Sequence, residues 1–140
     1  MRQSRDFYKG GFWHVLNRGV AKEEIFREKE DFMFYLYKVK EFLKKYPVAI
    51  HAYNLLFNHL HHLIEQNSDI PPSKFIGSLH SSFGLHTNQK YSRVGHLFQD
   101  RFKAKPLDKN ALLPVSLYIN LNKILKGFIL RPTLNLLFLG

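Results

Sequence analysis

Apolar and polar positions along the chain follow a few distinct rhythms. Phe12, Trp13, His14, Val15, Leu16 and Asn17 form a short aromatic and branched run between Gly10-Gly11 and Arg18-Gly19, the pattern of a strand with a turn at either end. Over 29–46 the rhythm changes. Phe32, Phe34, Tyr35, Leu36, Val39, Phe42 and Leu43 recur at spacings of three and four, with Lys38, Lys40, Lys44 and Lys45 between them. This spacing predicts an amphipathic helix stopped by Pro47. Residues 48–66 are rich in branched and aromatic side chains and poor in helix punctuation, which predicts two strands joined by a tight turn at Phe57-Asn58.

Ser68, Asp69, Pro71, Pro72 and Ser73 then mark a loop and a helix start. The helix is expected over 73–90, weakened by Gly77 and Gly84. After a turn at 92–95, a fourth strand is expected over 96–105, broken at Pro106. A last helix is expected over 111–126, capped by Asp108 or Asn110 and ended by Gly127. Strand, helix, strand, strand, helix, strand, helix resembles the split β-α-β order of ferredoxin-like and RNA-recognition folds. The fold class is therefore α+β, a four-stranded antiparallel sheet with helices on one face and the other face open to carry a site.

The chain has 140 residues, about one domain's worth, and reads as a single unit over 1–140 without internal repeats. Its apolar end, 128–140, must pack on something, and a second copy of the chain is the expected partner. A hydrophobic share of 45% excludes a disordered tail. Lysine and arginine number 21 against 11 acidic residues, and the net charge of +10 points to a polyanionic partner, nucleic acid first. There is no cysteine, so disulfides, a thiol nucleophile and thiolate metal sites are all excluded. Any metal must be held by histidine, oxygen and water. No apolar run has signal-peptide or membrane-spanning character, so a cytoplasmic protein is expected.

Three of the eight histidines fall within 58–62. On a strand, His59 and His61 project to one side while Leu60 and His62 point to the other, which places two imidazoles to share a cation. On the last predicted helix, Tyr118 and Asn122 stand four residues apart and so share a face. Neither pattern decides anything alone. An isolated His-x-His is more often a surface or core pair, and a tyrosine among leucines is more often a core residue.

Four strings taken together are more specific. Trp13-His14-Val15-Leu16-Asn17-Arg18-Gly19, His51-Ala52-Tyr53 running into Asn58-His59-Leu60-His61, Gly95-His96-Leu97-Phe98-Gln99-Asp100-Arg101-Phe102-Lys103, and Tyr118-Ile119-Asn120-Leu121-Asn122 occur in this order at compatible spacings over 11–127. They resemble the landmarks of the bacterial single-tyrosine HUH transposases, in particular the REP-associated tyrosine transposases. The chain departs from that pattern at Leu56-Phe57, where methionine and proline are common, and at Lys123, where proline often stands. The resemblance implies a dimeric, metal-dependent strand transferase acting on hairpin-forming single-stranded DNA. It implies Tyr118 as nucleophile and His59, His61 and Asn122 as metal ligands.

The chemistry suits those residue types. A phenol with an unperturbed pKa of about 10 is a poor nucleophile at neutral pH, and a cation that polarises the scissile phosphate compensates. The phosphate, water and Asn122 would supply oxygen beside the imidazoles, which favours Mg²⁺ or Mn²⁺. The implied product is a 5′-phosphotyrosine and a free 3′-hydroxyl. Arg18, Lys22, Arg93, Arg101, Lys103 and Lys105 are candidate phosphate contacts, with Arg2, Arg5 and Lys9 on the N-terminal arm. Phe98, Phe102 and Trp13 are candidate base-stacking residues, although core packing is the commoner fate of such aromatics. His51 and Glu65 are candidates for support around the metal. The alternatives are a non-catalytic single-stranded nucleic-acid-binding domain of the same fold, a rolling-circle initiator or relaxase, and a hydrolase using the histidines alone. No membrane and no nucleotide cofactor are expected.

Overall fold

A computed structural model describes residues 6–112 and 114. Its elements are β1 (Phe12–Arg18), α1 (Lys29–Lys45), β2 (Ala49–Leu55), β3 (His59–Glu65), α2 (Pro72–Tyr91) and β4 (Lys103–Leu107). Among the described residues the sheet order is β2-β3-β1-β4, with every neighbouring pair antiparallel. This is the expected α+β architecture. No helix among the described residues is long and apolar enough to cross a membrane.

β4 departs from its expected bounds. It starts at Lys103 instead of 96 and runs through Pro106. Residues 96–102 are held as a loop by long-range backbone bonds, Val20 N–H to Leu97 O and Gln99 N–H to Arg18 O, each 2.9 Å. The side chains of Leu97 and Phe102 are buried in the core. Proline is tolerated in β4 because an edge strand need not offer every N–H to a neighbour. Of the two candidate caps for the last helix, Asp108 accepts the Ala111 N–H at 3.0 Å, next to a 3₁₀ turn over Lys109–Ala111. The body of that helix, with Tyr118 and Asn122, and the apolar end 128–140 lie outside the described residues.

Alternation along the central strands divides the sheet into two faces. Trp13, Val15 and Asn17 of β1 and Leu60, His62 and Ile64 of β3 point into the core, whereas Phe12, His14, Leu16 and Arg18 point to the opposite face. The helices cover the inner face. α1 contributes Phe32, Tyr35, Val39 and Leu43, and α2 contributes Phe75, Ile76, Leu79 and Phe83. Burying each such side chain is worth about 1.5–3 kcal/mol, so these two stripes fix how the helices sit.

A buried acid joins the helix ends. Asp31 accepts the backbone N–H groups of Arg27 and Glu28, the Lys90 ammonium at 2.7 Å and the Tyr91 hydroxyl at 2.6 Å. Burial alone would raise its pKa, but these hydrogen bonds outweigh that and hold the carboxyl below its ordinary value.

The core also contains a directional polar chain. Asn17 Oδ1 accepts the Arg18 N–H at 3.0 Å, which turns its Nδ2–H₂ toward His80 Nδ1 at 3.1 Å. His80 must then carry its proton on Nε2 and donate it to the Tyr35 hydroxyl oxygen at 3.1 Å. That leaves the Tyr35 proton for His62 Nε2 at 2.8 Å. The chain ends at His62 Nδ1, which is buried without a hydrogen-bond partner among the described residues. Burial pushes His80 down to about 3, so its imidazole is neutral in the fold.

Replacing Tyr35 by Phe would strand a donor on His80 and an acceptor on His62. Denaturant titration should show a loss of about 1–3 kcal/mol with the slope unchanged. Because the folded-state pKa of His80 lies below its unfolded value, the unfolded chain binds the extra proton between pH 6.5 and about 3. Stability should therefore fall on acidification through that window, and His80→Gln should remove one proton's worth of the slope.

Candidate active site

The face of the sheet opposite the helices gathers the two histidines and several cations by register alone, and it is less open than expected: His61 and Asn54 are buried there, and Ala52 and Leu63 form a small apolar cluster with Leu107 and Leu112. His61 lies opposite Leu16 of β1 and Asn54 of β2, and His59 lies opposite Arg18. On the other side of β1, Lys103 pairs with Leu16 and Lys105 with His14. As the alternation predicts, the His59 and His61 rings are neighbours, with centroids 5.1 Å apart and planes at 85°, while His62 points into the core.

Each ring is anchored through Nδ1. Asn58 Oδ1 accepts the His59 Nδ1–H at 2.8 Å. His61 Nδ1 lies 3.0 Å from His14 Nε2, and these two rings stack with centroids 5.1 Å apart at 22°. Burial first, and then the charge of Lys105, lowers the pKa of His14, so a neutral His14 is suited to accept the His61 proton. This is the donor arrangement of imidazoles that ligate through Nε2, with the other nitrogen held by a neighbour. Among the described residues no group of three or more His, Cys, Asp or Glu is placed to hold a metal ion. The pair therefore fits a divalent cation as two ligands of a larger set.

Three loops converge at the His59 end of the face. Leu56 N–H bonds to His59 O, Phe57 O accepts the N–H groups of Ile25 and Phe26, and Asn58 O accepts the Gly19 N–H. Gly19 is required there, because a Cβ would lie 2.1 Å from Glu23 O. Ala21 and Lys22 follow in the left-handed region at φ 52° and 61°, a conformation that costs roughly 1–2 kcal/mol per residue. Arg93 closes this corner. Its Nε and Nη2 donate to the two Glu23 carboxylate oxygens at 2.6 and 2.7 Å, and Nη1 donates to Asn88 Oδ1. That hydrogen bonding holds Glu23 below the ordinary carboxylate range.

The candidate cations thus divide. Arg93 is committed to joining loops, whereas Arg18, Lys22, Arg101, Lys103 and Lys105 are exposed. His51 Nε2 and Glu65 Oε1 pair at 2.9 Å. Glu65 ends β3 and His51 lies near the start of neighbouring β2, so the pair sits about 20 Å from His59 at strand rise. Trp13 and Phe102 are core residues, while Phe98 is half-buried and stacks on His80 with centroids 4.5 Å apart. Tyr118 and Asn122 lie outside the described residues. His14 is the residue that the sequence reading left without a role. Its place in the Trp13-His14-Val15 string was visible, but the cross-strand register that brings it to His61 was not.

Residues 9–122 match the model of the family described as "Transposase IS200 like". The chain belongs to the IS200-like transposase family. Solved structures agree with that fold. A REP-associated tyrosine transposase bound to a REP hairpin superposes with a TM-score of 0.73 at 16% identity, over 92% of this chain and 76% of that one. A candidate transposase from Deinococcus radiodurans superposes with a TM-score of 0.58 at 10% identity, over 86% and 96%. No curated protein matches the chain. In this IS200-like member the histidine pair stands on a four-stranded antiparallel frame, on the face opposite the helices.

The tight corner at Gly19 gives a direct check on how the face is held. Gly19→Ala should force the Glu23 carbonyl away and destabilise the protein by at least ~1–3 kcal/mol in a thermal or urea melt. Gly10→Asn, at an open position with φ +89°, should be far milder.

Proposed function

We propose that this transposase-family protein is a metal-dependent single-strand DNA endonuclease and strand transferase acting on hairpin-forming DNA through Tyr118. The observation that carries the reading is the His59–His61 pair, two imidazoles on one face of the sheet, each anchored through Nδ1, in a chain of the IS200-like family. The hairpin bound by the solved relative supports DNA of that form as the partner. A divalent cation, Mg²⁺ or Mn²⁺, would be held by His59 and His61 with Asn122 as a third ligand, and when bound it supplies charge neutralisation at the scissile phosphate.

The remaining steps belong to the chain's own residues. The Tyr118 phenolate attacks phosphorus in line, the bond to the 3′-oxygen breaks, and that oxygen leaves as a 3′-hydroxyl after taking up a proton. The product is a 5′-phosphotyrosine that retains the phosphodiester bond energy, so a later attack by another 3′-hydroxyl rejoins DNA and frees Tyr118. His14 acts through His61 by fixing its tautomer and ring plane. Arg18, Lys22, Arg101, Lys103 and Lys105 receive DNA phosphates, and Arg93 shapes the corner that presents them. A homodimer, joined through the apolar end of the chain, completes the reading.

The test is a hairpin-bearing oligonucleotide incubated with Mn²⁺ and resolved on a denaturing gel. A covalent protein–DNA adduct is expected, abolished by Tyr118→Phe and by EDTA. His59→Ala and His61→Ala should each lower cleavage at least ~100-fold while leaving most binding, since the charge that drives binding remains. His14→Ala should weaken Mn²⁺ affinity by about 10–100-fold in calorimetry, with partial rescue by His14→Gln. Binding without any adduct across a panel of hairpins would instead identify a non-catalytic DNA-binding domain.

A further inference from the structure

β2 carries one asparagine among buried apolar neighbours. Ala52, Tyr53 and Leu55 are buried, and Asn54 between them is 0% exposed, although β2 is an edge strand of the described sheet. Asparagine is depleted from strands, and a carboxamide taken out of water is costly unless its polar atoms are used. On packing grounds alone an apolar side chain would suit this position better.

The register shows where the amide is placed. Asn54 lies directly opposite His61, so the two side chains share the face of the sheet that turns away from the helices. Cβ atoms of such an opposed pair stand about 4.5–5.5 Å apart. The next pair, Tyr53 and His62, faces the core instead. His61 is thus flanked from both neighbouring strands. His14 of β1 meets its Nδ1 at 3.0 Å, and Asn54 of β2 stands on the other side. Asn54 makes contacts within the fold, and its Oδ1, the buried acceptor atom, takes no hydrogen bond from the described residues.

Oxygen is what the donor set around this pair needs. Mg²⁺ and Mn²⁺ favour oxygen over nitrogen, and carboxamide carbonyls are among the ligands that hard cations accept. No third His, Cys, Asp or Glu among the described residues is placed to join His59 and His61. A neutral carboxamide can add an oxygen without cancelling any of the cation's charge, which stays available to a phosphate; a carboxylate in its place would hold the ion harder and neutralise part of it.

We propose that Asn54 supplies Oδ1 as a further ligand to the cation held by His59 and His61. The inference rests on the metal reading above and deepens it. It adds a ligand from β2, separate from Asn122 on the last predicted helix.

The test is calorimetric titration of Mn²⁺ into the DNA-free protein, with no cleavage scored. Asn54→Leu, which keeps the volume and removes the oxygen, should weaken Mn²⁺ binding by about tenfold or more. Asn54→Asp retains an oxygen there and adds charge, so it should bind Mn²⁺ about tenfold more tightly than the wild type, since ligand charge tunes affinity for such ions. The proposal is overturned if Asn54→Leu melts cooperatively and binds Mn²⁺ as the wild type does. Should Asn54→Leu fail to fold, Asn54→Asp decides, and binding no tighter than the wild type overturns the proposal. His59→Ala in the same titration separates the two readings. If it too leaves Mn²⁺ binding intact, the cation does not sit at the histidine pair and the metal reading fails with this one. If it abolishes binding while Asn54→Leu does not, only the role of Asn54 is lost.

Discussion

The site depends on the register of β3. A strand has a period of two, so a slip of one residue would carry His59 and His61 into the core and bring His62 and Leu60 out to the open face. Hydrophobic alternation alone discriminates weakly here, because the strand reads His59, Leu60, His61, His62, Leu63. The chemical difference lies with His62, whose Nε2 meets the Tyr35 hydroxyl deep between α1 and the sheet. Asn17 and His80 polarise that hydroxyl in one direction only. A histidine in the core is costly unless bonded, and the only described arrangement that bonds it also sends its two neighbours outward. The buried network thus specifies which imidazoles are available for chemistry.

The corner around His59 shows a second way in which the core governs the face. The turn 56–58 is bonded to the segment after β1, that segment is bonded to the loop after α2, and Arg93 spans from Glu23 to Asn88 on α2. The left-handed backbone at Ala21 and Lys22 is sustained by this bracing. Asn58, which holds His59 through its side chain, is held in turn through its carbonyl by Gly19. Orientation of the His59 ring therefore draws on three loops distant in sequence.

Most of the frame was legible because its signals are local. The three- and four-residue spacing of Phe32, Tyr35, Val39 and Leu43, the stop at Pro47 and the turn at Phe57-Asn58 each act within a few residues, and α1, β2 and β3 follow them. β4 was misplaced for the opposite reason. His96, Leu97 and Phe98 carry strand-like composition, but Val20, Gly19 and Arg18, some eighty residues away in sequence, take up their backbone groups in a loop. The face of His59 and His61 was readable from alternation, while the approach of His14 to His61 and of Arg93 to Glu23 required a register and a loop path that no local pattern encodes.

The same limit explains why net charge suggests a partner class but does not locate a surface. Lys90 and Arg93 spend their charge on Asp31, Glu28 and Glu23 within the protein. Lys103 and Lys105 lie on an edge strand, where lysines, with Pro106 between neighbours, also discourage pairing with another sheet, so their presence has a reason apart from DNA. Arg18 has no such reason. It ends an interior strand, stands exposed opposite His59 and lines a small cavity with Arg101 and Lys103. A cation kept there raises the positive potential beside the histidine pair. It adds nothing to edge protection, which makes Arg18 the most informative of the cations about the purpose of the open face.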